Sequence, residues 1–131
     1  MLFTQEQNYA VKAIRALSSM KRVKVQEICK NENIPSTFAY KILKKLEHGG
    51  FVQSTQGTYG GYILVKELNS ISLLDIYIAI DKDLFVSKYL KVGNRCKNRN
   101  GLKNCVLHET LEKLQGTVTR ILKRTKLDAL V

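Results

Sequence analysis

Residues 33–66 constrain this chain most, because backbone-restricting residues there dictate a fixed order of elements. Pro35 pushes Ile34 out of the helical region, and the Ser36 hydroxyl can accept from an orphan N–H one turn on. A helix is therefore expected to begin just after Ser36, with Ser36 as its N-cap. Along it Phe38, Ile42, Leu43 and Leu46 recur at helical spacing on one face, while Thr37, Tyr40, Lys41, Lys44 and Lys45 fall on the other. The first face packs and the second can meet phosphate. His48-Gly49-Gly50 supplies a helix end with a glycine free for the left-handed cap. Phe51-Val52 and Tyr62-Ile63-Leu64-Val65 are strand-like, joined by a turn that holds Gly57, Gly60 and Gly61.

Upstream, Thr4-Gln5-Glu6-Gln7 matches a capping box, and Tyr9, Ala10, Ala13, Ile14 and Leu17 predict a first helix that stops at Ser18-Ser19. After a link over 21–24, residues 25–31 read as a short helix with Val25, Ile28 and Cys29 inward. Two helices around a tight turn, then a glycine-marked hairpin, is the order of a winged helix-turn-helix, a DNA-reading module.

The second half begins with Ser72 and Asp75, placed to open a nearly all-apolar helix that ends near Ile80-Asp81 and must be buried between elements. Residues 88–103 change character, with six basic residues and no acids, and read as a loop or arm. Leu107, Leu111, Leu114, Val118 and Ile121 then step four, three, four, three, the spacing of a coiled-coil seam. With only about two heptads, a helix packing on a copy of itself is expected. Residues 125–131 would form a short capping helix. The chain is thus expected to be mainly α (α+β): a winged helix-turn-helix with a two-stranded wing over 1–68, then a loop and long C-terminal dimerisation helix over 69–131.

A formal charge of +11 and a pI near 9.7 suit a polyanionic partner: nucleic acid leads and an anionic membrane surface trails, and with the winged-helix order the expected partner is double-stranded DNA. No apolar run approaches a membrane span and no signal-peptide core is present, so a cytoplasmic protein without membrane contact is expected. Three cysteines, Cys29, Cys96 and Cys105, make an odd number, which argues against a disulfide framework and leaves reduced thiols, metal ligation or redox sensing. An enzyme is not expected: there is no nucleophile elbow, phosphate loop or paired-histidine metal motif.

Tyr9-Ala10, Ile28, Ile34-x-Ser36, Leu46 with Gly50-Phe51-Val52 and Ser54, Gly57, Gly60-Gly61-Tyr62-Ile63-Leu64, Ile71-Ser72-Leu73-Leu74-Asp75 and Thr125-x-Leu127 together resemble the Rrf family of bacterial winged-helix transcriptional regulators. The resemblance spans nearly the whole chain. It implies a homodimer joined through the long C-terminal helix, with each recognition helix in a major groove and each wing at an adjacent minor groove, acting as a sequence-specific repressor. Ser36, Thr37 and Tyr40 are expected to touch base edges, and Lys41, Lys44 and Lys45 phosphates. Gln56, Thr58 and Tyr59 would be the wing's contacts. Gln56 stands where family members commonly carry arginine, so the wing keeps hydrogen-bonding capacity but loses the charge that a narrow groove attracts.

Cluster-binding relatives place three cysteines before the long helix, and in one a histidine completes the set. Here Cys96, Cys105 and His108 reproduce the outer cysteines and the histidine, and the middle cysteine is absent. The resemblance therefore implies a redox, metal or iron–sulfur signal, with a fourth ligand from elsewhere; Glu6 is the candidate, and Asn8, a poor ligand, is the other position such an acid would take. The basic residues around Cys96 and Cys105 would also lower thiol pKa, so thiolate redox sensing stays open. Cys29 is expected in the core. The alternatives are a cluster-free regulator under a small-molecule effector, with Tyr77, Phe85 and Tyr89 lining a pocket, or one working through a protein partner. An RNA binder is disfavoured by the shortage of stacking aromatics.

Overall fold

The computed structural model describes residues 1–57, 60–90 and 106–130, which form five α-helices and a two-stranded antiparallel sheet. Helix α1 (Gln5–Ala16) starts at the expected capping box: Gln7 N donates to Thr4 Oγ1 (3.3 Å) and Thr4 N to Gln7 Oε1 (2.9 Å). Gln7 is fully buried, and its remaining amide donor reaches the Met1 carbonyl at 3.2 Å, so burial leaves that group satisfied. Helix α2 (Val25–Glu32) ends at Asn33, whose φ of 53° is left-handed, a conformation asparagine tolerates.

Helix α3 (Ser36–His48) differs at its start from the sequence expectation. Pro35, not Ser36, is the N-cap, and no side chain caps the helix. The Phe38 and Ala39 amides both donate to the Pro35 carbonyl at 3.0 Å, so the first helical acceptor lies one residue early and Ser36 enters the exposed first turn. The buried face is Ala39, Ile42, Leu43 and Leu46. Phe38, expected on that face, sits at its edge and packs beside Tyr9, with ring centroids 5.5 Å apart. At the other end Phe51 N donates to Leu46 O and Gly50 N to Glu47 O, both at 3.0 Å, with Gly50 at φ 79°. This is a Schellman closure, and the left-handed step is what places glycine there.

The wing pairs β1 (Val52–Thr55) with β2 (Gly61–Leu64), in register from Val52 opposite Leu64 to Thr55 opposite Gly61. The 21–24 link proves to be more than a connector. Val23 and Tyr62 exchange backbone hydrogen bonds of 2.9 Å each, fastening the wing to the α1–α2 junction.

Helix α4 (Leu73–Ile80) opens with the expected capping box, Asp75 N to Ser72 Oγ (3.1 Å) and Ser72 N to Asp75 Oδ2 (2.9 Å). It packs against α1, α3 and the long α5 (Val106–Arg124), burying Ile76, Tyr77 and Ile80. Ile78 faces outward, so its burial is one-sided rather than complete. Beyond α5 the chain returns: Leu73 N donates to Thr125 O (2.8 Å) and Leu127 N to Ile71 O (2.9 Å). A single 3₁₀ turn, Leu127–Ala129, stands where a short helix was expected, and it seats Leu127 in the core.

Ile14, Ile28, Ile42, Leu46, Leu64, Ile71, Ile76 and Leu127 belong to one buried cluster, so residues on both sides of 68/69 share an interior. A second cluster gathers Leu2, Tyr77 and Leu122, with Leu84, Val86 and Val118 against it. Gln115 secures it by accepting from Val86 N (2.7 Å) and donating to Leu84 O (2.9 Å). Tyr77 is therefore a core aromatic, met edge-on by Phe3. No helix among the described residues is long and apolar enough to cross a membrane.

Candidate nucleic-acid interface

The outward face of α3 carries Ser36, Thr37, Tyr40 and Lys44, all exposed, because the apolar positions facing the core leave these directions to solvent. Glu47 and His48 extend the same face. Glu47 Oε1 accepts from Ser54 Oγ at 3.2 Å, tying the first wing strand to the end of α3. Burial, then the nearby charge of Glu47 and then Tyr40, push the Tyr62 phenol above its ordinary pKa, so it stays protonated beneath this junction.

Lys41 and Lys45 are not the free cations expected from the sequence. Lys41 Nζ donates to Glu6 Oε1 at 3.0 Å; Lys45 Nζ donates to the Ile80 carbonyl at 3.0 Å and to Glu6 Oε2 at 3.5 Å. Both residues lie on the flank of α3 that meets the first turn of α1, whereas Lys44 points away. Lys45 is half-buried and belongs to the packing of α1, α3 and α4 rather than to the outward face. Hydrogen bonding from Lys41, opposed by burial and helped by the charges of Lys45 and Lys41, holds the Glu6 carboxyl below the usual carboxylate range. Glu6 is therefore ionised at neutral pH and engaged by α3 of its own chain.

Gln56 is exposed on the wing, beside an open groove of about 700 Å³ walled by Lys24 and Gln26 on α2's side and by the backbone of Gly60 and Gly61 on the other. Thr58 and Tyr59 lie outside the described residues. Cys29 is half-buried against the core, as its residue type favours. It also lines a crevice of about 380 Å³ with Ser36 and Tyr40.

Cys96 and Cys105 lie outside the described residues; His108 does not. Its Nε2 is 3.2 Å from Glu112 Oε1, and its Nδ1 is buried with no hydrogen-bond partner among the described residues. Among those residues no group of three or more His, Cys, Asp or Glu could hold a metal ion.

The expected seam on α5 resolves into two lines. Leu107, Leu114 and Ile121 are 50%, 49% and 58% exposed, while Leu111 and Val118 are half-buried. Val118 packs against the chain's own second cluster, which takes part of its surface out of the exposed line.

The sequence model of the Rrf2 family, described as an iron-dependent transcriptional regulator, matches residues 3–131. The chain belongs to the Rrf2 family. It is a DNA-binding transcriptional regulator and not an enzyme. It is 29% identical to an Aquifex aeolicus protein described as an HTH-type transcriptional regulator, over all of this chain and 92% of that one. It is 27% identical to the HTH-type transcriptional regulator IscR of Photorhabdus laumondii, over all of this chain and 79% of that protein. The fold is that of the global cysteine regulator CymR of B. subtilis, with a TM-score of 0.78 at 19% identity, covering 99% of this chain and 95% of that one.

Two residues missed by the sequence reading lie beside the candidate interface. Glu47 lies three positions beyond Lys44 and seven beyond Tyr40, a spacing that put it on the same face, but attention to cations passed over it. Lys24 precedes α2 in what looked like a link, and only the Val23–Tyr62 pairing brings it beside the wing.

Proposed function

We propose that the chain works as a homodimer that binds an imperfect inverted repeat, with α3 of each protomer in a major groove, and represses transcription there. The observation that carries this reading is the exposed polar face of α3, held at a fixed angle to the wing through Glu47–Ser54 and Val23–Tyr62. Ser36, Thr37 and Tyr40, near the helix start, are placed for base edges, and Lys44 for a phosphate. The line of Leu107, Leu114 and Ile121 is the dimer surface. Half-sites about one helical turn apart, or a simple multiple, follow from two-fold symmetry.

Replacing Lys44 by alanine is expected to weaken binding to every sequence and to flatten the salt dependence of log K by about 0.9 for each phosphate no longer neutralised. Thr37→Val or Tyr40→Phe is expected instead to change which base pairs are preferred, with little change in slope. Selection of bound sequences from a random pool, together with salt titrations, separates the two. Identical behaviour of both classes would refute the division of the helix.

The sensing part of the proposal rests on the family's description as iron-dependent and on His108. A buried, unpartnered Nδ1, with a carboxylate at the other ring nitrogen, is the arrangement of an oriented metal-binding imidazole. Cys96, Cys105 and His108 would hold the metal or iron–sulfur cluster, which when bound supplies sensitivity to oxidants. Glu6, considered as a fourth ligand, is engaged by Lys41 and Lys45. Cys105→Ser is expected to remove visible charge-transfer absorption and shift DNA affinity in anaerobic reducing buffer, while Cys29→Ala does neither. A wild type that is metal-free, indifferent to peroxide and nitric oxide, and equal to Cys105→Ser on DNA would favour a small-molecule effector or protein partner instead.

A further inference from the structure

We propose that Glu6 is a specificity-determining residue: its carboxylate takes, inside the folded chain, the place a DNA phosphate would take on Lys41, and so limits how strongly the recognition helix binds duplex of any sequence. The inference rests on the reading of α3 as the DNA-contacting helix. Phosphate contacts attract all DNA alike and carry no sequence information, so a chain of charge +11 needs some restraint on them if base contacts are to decide where it binds.

The geometry separates the two lysines. Lys45 has two acceptors, Glu6 and the Ile80 carbonyl, and its side chain is 35% exposed, so it is held. Lys41 has Glu6 as its ion-pair partner, and its side chain is 56% exposed, so exchanging the carboxylate for a phosphate on the open side asks only for rotation of a flexible stem. Glu6 lies in the first turn of α1, beside the buried capping box and at the helix end that favours an anion. The dipole therefore favours its charge, and Lys45, 3.5 Å from its Oε2, still holds the carboxylate when Lys41 leaves. Lys44, by contrast, is exposed and directed outward.

The test uses the full-length protein and a mixed-sequence duplex of about 30 base pairs lacking any inverted repeat, with affinity followed against salt. Glu6→Gln is expected to tighten this non-specific binding about three- to tenfold at low salt and to steepen the slope by up to about 0.9 per protomer engaged. In a Lys41→Gln background the same change should have little effect. Steeper binding by Glu6→Gln that persists without Lys41 would overturn the inference, as would a slope equal to wild type while Lys44→Ala flattens it. Should Lys44→Ala also leave the slope untouched, α3 is not the DNA face and the inference falls with that reading. If Glu6→Gln fails to fold, as thermal melting would reveal, Lys41→Gln against Lys44→Ala decides. Much weaker flattening by Lys41→Gln supports the inference, and equal flattening overturns it, because Lys41 would then already contact phosphate beside an intact Glu6.

Discussion

Replacing Leu114 and Ile121 together by glutamate is expected to turn the protein into a monomer and to abolish specific DNA binding in the same step. Both side chains are about half exposed on the outer line of α5, seven residues apart with Leu107 one heptad before them. A stripe this apolar on a charged chain is a surface awaiting cover. Burying such a side chain contributes about 1.5–3 kcal/mol, and a carboxylate in its place reverses the sign. Two half-site contacts linked in one dimer gain about 10²–10⁴ over one, so the monomer should bind operator at least about 100-fold more weakly. The fold itself should survive, since neither residue belongs to a buried cluster. Val118→Glu is the contrasting control: Val118 packs against the Leu2–Tyr77–Leu122 cluster, so a charge there should destabilise the protomer rather than merely divide the dimer. Sedimentation, circular dichroism and footprinting read the three effects. A stable dimer of the double variant would place the interface elsewhere.

Local chemistry made most of the fold legible. The capping boxes at Thr4 and Ser72 and the glycine that closes α3 each satisfy identifiable backbone groups within four or five residues, and all stand where the sequence put them. The misses share a different cause. Whether Ser36 or Pro35 accepts the first amide bonds depends on a one-residue difference in where the helix begins, which hydroxyl preference alone does not decide. Whether Lys45 faces DNA or Glu6 depends on how α1 lies against α3, a tertiary relation between residues 39 positions apart. The same holds for Val118, whose heptad position matches Leu111 and whose burial comes from Leu2 and Tyr77. The solvent-facing side of α3 was readable where one helix face suffices, at Thr37, Tyr40 and Lys44, all exposed. It was unreadable where a neighbouring element claims the side chain.

That same distinction makes Gly61 a sensitive position of the wing. Its φ is 150°, and a Cβ there would lie 2.5 Å from the Val23 carbonyl oxygen and 2.8 Å from its carbon, atoms of backbone that cannot turn aside. Those atoms belong to the bridge by which Val23 and Tyr62 hold the wing to the α1–α2 link. Gly61→Ala should therefore both strain its own backbone and break the bridge, at a cost of about 3 kcal/mol or more when a strained φ and two hydrogen bonds are combined. Gly57 offers the matched comparison, with a φ of 100° but, among the described residues beyond its chain neighbours, no atom within 4 Å of where a Cβ would lie. Gly57→Ala should incur only the backbone strain, about 1–3 kcal/mol. Urea unfolding measures the difference, and amide exchange at Val23 and Tyr62 locates it: Gly61→Ala should speed exchange at both, Gly57→Ala at neither. DNA affinity should fall further for Gly61→Ala, since the wing and Lys24 would no longer be held at one angle to α3. Equal unfolding free energies with both amides still protected would show that the wing tolerates a side chain at Gly61, and that the Val23–Tyr62 bridge survives it.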